Sequence, residues 1–228
     1  MAIKGKPRAR RWKAAWVGVL YGVGLAPAVW QFHLGATGNL GADPVKTFEL
    51  FLGLWAVRFL ILTLAISPLR ELFGVNLMRY RRALGLLCFS YAAMHFTVYV
   101  VLDQALMLSA ILLDITKRPF IMLGMAALTL LVPLAATSNA FSIRRLGKNW
   151  LRLHRLIYLI AISVSIHFAL ATKVLSGEQY LYLGMIVLML LYRVLRPYLK
   201  RHKRRDRTSP RDRLLSSHGR IVRADLLR

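Results

Sequence analysis

Cysteine and acidic residues are the scarce types in this 228-residue chain, which has one Cys and nine Asp plus Glu against 33 Lys plus Arg. The lone Cys88 excludes an intramolecular disulfide and any cysteine-cluster metal centre. Lying in an apolar run, it reads as a small buried side chain. No Asp or Glu falls inside the apolar stretches, because Asp103 and Asp114 stand at their outer edge. A proton pathway across the chain would therefore be incomplete. A dinucleotide fingerprint is also missing: Gly22-Val23-Gly24 lies in an apolar stretch and runs into Pro27. The polar tail is too short for a strand, a glycine loop and a helix, so no nicotinamide-binding domain is expected.

What is abundant is apolar sequence. Hydrophobic residues make up 57% of the chain and charged residues 18%, and the apolar residues come in blocks rather than at amphipathic spacing. That pattern predicts an all-α integral membrane protein. Six spans can be marked at approximately 14–32, 50–68, 83–102, 119–137, 152–172 and 179–196, each near the roughly 20 residues needed to cross about 30 Å of hydrocarbon. The segment 105–115 is apolar but too short to cross, and reads as an interfacial or re-entrant piece. Lys117, Arg118 and Pro119 after it form a start signal for the fourth helix. Pro133 is expected to kink that helix.

The formal charge of +24 resembles a nucleic-acid binder's, yet most of the charges lie between and after the apolar blocks, so membrane topology explains them and no nucleic-acid partner is expected. Of the 33 Lys and Arg residues, 28 fall on one side of the predicted membrane, four (Lys46, Lys117, Arg118 and Lys173) on the other, and Arg58 within the second span. The positive-inside rule then places both termini in the cytoplasm. The first apolar stretch follows a basic segment, as in a signal peptide, but it is long and lacks a small-residue cleavage site, so it is kept as a helix. The expected domains are a basic cytoplasmic N-terminus (1–13), a six-span bundle (14–196) and a basic cytoplasmic tail (197–228). The tail is read as disordered or lying on anionic lipid. Trp12, Trp16, Trp30 and Trp150 sit near span ends, as an aromatic belt would.

Three histidines carry the functional signal. An ionisable residue within a membrane span is a functional-site hypothesis by default. His95 and His167 each lie about 13 residues inside a predicted span, and His154 lies at the mouth of the fifth. At 1.5 Å per residue His95 sits roughly 18 Å along its helix, in the periplasmic half. The third and fifth spans run the same way, so His167 comes to a comparable depth. Two imidazoles at one level suit bis-histidine ligation of a b-type haem between helices. His154 and Arg81 lie 13 and 14 residues before His167 and His95 and define a second level near the cytoplasm, where a second haem could be flanked. The competing readings are an interfacial histidine and an arginine already required by the positive-inside rule. A 13-residue step turns roughly 220° on an ideal helix, so His154 and His167 share a face only if the helix is distorted or begins after His154.

Arg58, near mid-membrane, needs a partner, since arginine there costs about 2.5–3.5 kcal/mol on translocon-based scales. A haem propionate would supply one through a charge-assisted hydrogen bond; snorkelling or a backbone carbonyl is the alternative. His33, Asp43 and Lys46 fall in the first periplasmic loop, where Gly41, Asp43 and Pro44 read as turn chemistry, with docking of a periplasmic partner as the functional alternative. His202 and His218 lie in the tail and read as solvated.

The segments RYRRALGLLCFSYAAMHFTVY (79–99), GADPVK (41–46) and RRLGKNWLRLHRLIYLIAISVSIHF (144–168) resemble the haem-binding membrane subunit of the bacterial periplasmic methionine-sulfoxide reductase system, the MsrQ or YedZ family, within the wider ferric-reductase-like transmembrane group. The resemblance covers residues 14–196 and leaves out both basic extensions. It implies an electron-transfer subunit of the bacterial inner membrane, not an enzyme by itself. Electrons would come from the respiratory quinol pool or a cytosolic flavin reductase. They would pass through one or two b-type haems to a periplasmic molybdopterin subunit that reduces methionine sulfoxide in oxidised envelope proteins. The family's histidine pair falls on His95 and His167, its histidine at the start of the fifth helix on His154, and an arginine proposed beside the second haem on Arg81. Flavin mononucleotide is also implied, with no motif to place it. Two other functions remain open: a haem-free proton-coupled transporter using His95 and His167, and a structural membrane anchor.

Overall fold

A computed structural model describes the backbone of residues 7–206 and the side chains of residues 15–198. Residues 1–6, the tail 207–228 with His218, and the side chains of Trp12 and His202 lie outside the described residues. The described residues divide into two compact units, one ending at Val187 and one beginning at Leu188.

The regular elements among the described residues are all helices. They are α1 (Pro7–Ala36), α2 (Pro44–Leu72), α3 (Arg81–Val98), α4 (Leu108–Lys117), α5 (Pro119–Ala136), α6 (Ala140–Leu146), α7 (Lys148–Leu153), α8 (Ile157–Leu170) and α9 (Gly177–Asp206). Six stretches are long and apolar enough to cross a membrane: Ala15–Ala36, Pro44–Leu72, Arg81–Asp103, Pro119–Ala136, Lys148–Leu170 and Gly177–Tyr198. All six expected spans are present, with three differences of detail.

The second span starts six residues earlier than expected. Pro44 occupies the first helical turn, where its missing N–H is no loss, and the Asp43 side chain caps the helix by accepting from the Lys46 N–H at 3.0 Å. Glu49 therefore stands inside α2 and is buried, which corrects the expectation that no acid lies within a span. The last helix continues through Pro197 to Asp206, past the boundary expected at 196.

The third difference concerns the fifth span. It is not one continuous helix: α7 is followed by a 3-10 turn, His154–Leu156, before α8 begins. Because α8 starts after His154, the two histidines are not bound to the 220° relation of a single ideal helix.

Antiparallel neighbours pack as two hairpins, α2 on α3 and α5 on α8, with α3 also touching α5 and α1 lying against α2 and α3. Between membrane helices the association comes from van der Waals contact, close approach at small residues and interhelical hydrogen bonds. Leu52, Leu60, Leu87 and Tyr91 are fully buried at the first hairpin, and Ile160 and Ala161 at the second. Helix α1 comes so close to α3 at Gly24 that a Cβ there would lie 2.6 Å from Leu87 Cδ1. Next to it the Tyr91 hydroxyl donates to Gly24 O at 2.8 Å and accepts from the Ala28 N–H at 3.2 Å, a rung of α1 beside Pro27. Leu62, Val132 and Leu159 are exposed along the outward faces, as lipid-facing residues would be.

The third span ends in a π-helical turn, Tyr99–Asp103. Ala105 and Leu106 then take positive φ of 48° and 60°, a left-handed conformation costing non-glycine residues roughly 1–2 kcal/mol each. This turn releases α4, a ten-residue helix packed on α5, where the short apolar segment was expected. Pro119 is the first residue of α5, as expected.

Candidate functional site

His95 on α3 and His167 on α8 face one another, with ring centroids 6.4 Å apart and ring planes at 75°. Each ring is tied to the other helix of its hairpin. His95 Nδ1 is 2.8 Å from Glu49 O on α2, and His167 Nδ1 is 2.7 Å from Phe120 O on α5. A carbonyl oxygen only accepts, so both Nδ1 atoms carry the proton and donate. Each Nε2 is then left with its lone pair, the form in which neutral imidazole binds a metal.

The two attachments are built alike. Gly53 follows Glu49 by four residues, and Gly124 follows Phe120 by four. In an α-helix the carbonyl of residue i already accepts from the N–H of i+4, so the imidazole takes the second lone pair of each carbonyl at the point where the glycine sits. A Cβ on Gly53 would lie 3.2 Å from His95 Nδ1 and Cε1, and one on Gly124 would lie 2.9 Å from the same atoms of His167. The missing side chains are what let the rings reach the carbonyls. Helix α2 with α3, and α5 with α8, thus each supply one carbonyl, one glycine and one imidazole.

The space between them is a mainly apolar cavity lined by both histidines, both glycines and residues such as Leu54, Val57, Leu128 and Leu131. At the end where α2 and α5 begin, its rim carries Lys46, Asp103, Asp114 and Arg118. Lys46 Nζ pairs with Glu49 Oε2 at 2.7 Å and Arg118 Nε with Asp114 Oδ1 at 2.9 Å. The Tyr99 hydroxyl donates to Asp114 Oδ2 at 3.1 Å.

The residues present fit a haem. Among the described residues no group of three or more His, Cys, Asp or Glu side chains could hold a bare metal ion, so two opposed imidazoles suit a metal that brings its own equatorial ligands. With metal–nitrogen bonds of about 2.0–2.1 Å, and about 1.1 Å from nitrogen to ring centre, two imidazoles on one iron have centres roughly 6.3 Å apart. The observed 6.4 Å matches that separation.

The other expected site residues lie elsewhere. His154 stacks on Trp150, with centroids 4.0 Å apart, and its Nε2 is 3.1 Å from Thr137 Oγ1. The Thr137 hydroxyl gives its single proton to Pro133 O at 2.6 Å, so it accepts from His154 Nε2–H. The Nε2 of His154 is thus engaged, unlike that of the cavity pair. Arg81 lies near enough for its charge to be felt at the His154 ring, at the opposite end of the helices from the cavity rim.

Arg58, expected beside a propionate, is not among the residues that line the cavity. Its Nη2 pairs with Glu178 Oε1 at 2.9 Å, its Nε donates to the Tyr182 hydroxyl at 2.8 Å, and the guanidinium lies 5.0 Å from the Trp55 ring centre. The cost of that arginine is met by an acid and a phenol in the first turns of α9. Sequence reasoning also missed Gly53 and Gly124. A signal was there: the glycines are 71 residues apart and the histidines 72, the mark of one unit used twice.

Residues 52–165 match the family model of the ferric reductase like transmembrane component. Among curated proteins the chain is 56% identical over 200 residues to those named protein-methionine-sulfoxide reductase heme-binding subunit MsrQ from Brucella ovis, Brucella canis and Brucella suis. The aligned region covers 88% of this chain and 90% of each relative. No solved structure matches the chain significantly.

Proposed function

Because the chain belongs to the MsrQ family of haem-binding subunits, a multi-pass membrane family with a ferric-reductase-like component, we propose that it carries electrons across the bacterial inner membrane through b-type haem held by His95 and His167. The observation that carries this reading is the pair of Nδ1-tethered imidazoles whose centres are 6.4 Å apart. When bound, the haem supplies one-electron reduction and reoxidation of its iron. Glu49 O and Phe120 O hold each ring in the ligating tautomer, and the apolar cavity walls keep water from the imidazoles.

With both termini cytoplasmic, as the Lys and Arg distribution supports, the cavity rim faces the periplasm. Electrons would enter from membrane quinol or a cytosolic flavin reductase and leave to a periplasmic molybdopterin subunit. Reduction of a sulfoxide to a thioether takes two electrons and two protons, so a one-electron carrier must deliver twice per repair. That chemistry belongs to the partner and not to this chain. Flavin mononucleotide has no residue of this chain assigned to it.

A second haem near the cytoplasmic face is a separate reading, favoured by the closeness of Arg81 to His154. It requires His154 to give up its bond to Thr137.

The test is a reduced-minus-oxidised optical spectrum of the purified protein. A b-type signal that is lost in His95→Ala and in His167→Ala is expected. No haem signal in the wild type would overturn the proposal and return the chain to a transporter or an anchor. His154→Ala should leave this signal in place, and should remove a second one if the cytoplasmic haem is bound.

A further inference from the structure

We propose that Lys46 and Arg118 bind the two haem propionates, one from each wall of the cavity. The inference rests on the reading of His95 and His167 as axial ligands. The two rings face each other across the cavity, so a haem held between them would reach the rim at one edge. A carboxylate buried in apolar surroundings without a partner is strongly disfavoured. The propionate edge must therefore turn to the rim, where the lining becomes polar.

Among the lining residues only Lys46 and Arg118 are cations, and the other charged groups at the rim are Glu49, Asp103 and Asp114. Three carboxylates would repel a propionate, which leaves the two cations to receive the pair. Each cation also sits just ahead of its wall's imidazole attachment. Lys46 is three residues before Glu49, whose carbonyl holds His95, and Arg118 is two before Phe120, whose carbonyl holds His167.

Both cations keep donors beyond their present bonds. Lys46 uses Nζ toward Glu49, and an ammonium has three N–H groups. Arg118 meets Asp114 through Nε, which leaves its terminal fork for a planar carboxylate. Their side chains are 44% and 57% exposed, so a propionate held there stays at the edge of water. Glu49 and Asp114 keep the two cations leaning over the rim.

The experiment is equilibrium titration of the haem-depleted full-length protein in detergent with haem b, and in parallel with its dimethyl ester, which keeps the iron and loses both carboxylates. Lys46→Gln and Arg118→Gln are each expected to weaken haem b binding about tenfold, the scale of one charge-assisted hydrogen bond. The wild-type and variant proteins should bind the dimethyl ester alike. Lys46→Arg and Arg118→Lys, which keep the charge, should retain most of the affinity for haem b. A Gln variant that loses both forms equally, or neither, overturns the assignment, as do charge-keeping variants that fall as far as the Gln ones. Wild-type protein that binds haem b without a bis-imidazole spectrum would instead refute the axial-ligand reading.

Discussion

Replacing Gly124 with alanine adds one methyl group, and the structure fixes where it goes. The new Cβ would stand 2.9 Å from His167 Nδ1 and Cε1, whereas relaxed contact between such atoms begins at about 3.5 Å. The ring must retreat by roughly 0.6 Å. Moved directly away, its 2.7 Å bond to Phe120 O stretches to about 3.3 Å, past the usual limit of about 3.2 Å. Losing that bond costs about 1–1.5 kcal/mol, and the displaced side-chain torsion adds about 0.5–1.5 kcal/mol.

The sum, about 1.5–3 kcal/mol, is a roughly 10- to 150-fold loss of haem affinity. At Gly53 the same methyl group lies 3.2 Å from His95. A retreat of about 0.3 Å leaves that hydrogen bond near 3.1 Å, still within range, so Gly53→Ala is expected to cost no more than about fivefold. In the haem-free protein the displaced ring is free to swing out, and the preference for alanine over glycine in a helix interior, about 0.5–1 kcal/mol, offsets part of the lost bond, so unfolding stability should fall by less than haem affinity does. The assays are haem-to-protein ratio, haem dissociation rate and the low-spin ferric spectrum, with thermal unfolding of the haem-free form as control. Wild-type haem retention in Gly124→Ala, or a larger effect at Gly53 than at Gly124, would refute the tethering argument.

Arg58→Leu should leave haem content unchanged while lowering thermal stability. It breaks the contacts to Glu178 and Tyr182, and interhelical polar contacts in membranes average about 0.6 kcal/mol and reach about 1.7 kcal/mol. Loss of haem in that variant, measured by the same ratio, would put Arg58 back in the cofactor site. Tyr91→Phe removes both hydrogen bonds to α1, but Gly24 O and the Ala28 N–H can then bond to each other. The expected cost is about 1 kcal/mol in unfolding, with the haem spectrum intact. A loss above about 3 kcal/mol would mean that the hydroxyl does more than bridge that rung.

The histidine pair was legible in the sequence because membrane helices convert residue number into depth, and an imidazole stands out against Leu, Ile and Ala. The span count was legible for the same reason. What holds the rings was not, since Glu49 and Phe120 act through backbone carbonyls that any residue would provide. Arg58 shows another limit. Its depth was readable, but its partners lie 120 and 124 residues further along the chain, and spacing along the sequence does not show which distant helix is its neighbour. Glu49 was placed outside the membrane because the apolar count started at residue 50, whereas Asp43 and Pro44 start the helix six residues sooner. His154 sits where a local break, unmarked by Gly or Pro, sets the geometry.

The twofold use of one carbonyl, one glycine and one imidazole bears on how the protein is made. Residues 44–103 are synthesised before residues 119–170, so the first clasp of the pair can form ahead of its counterpart. The cavity has its second wall and its second imidazole only when the second hairpin is in place. On the proposed bis-histidine reading, haem loading would report that both halves have been inserted and joined, and the free energy of ligation would strengthen their union. A chain truncated after α4 would keep one finished clasp and nothing to close it.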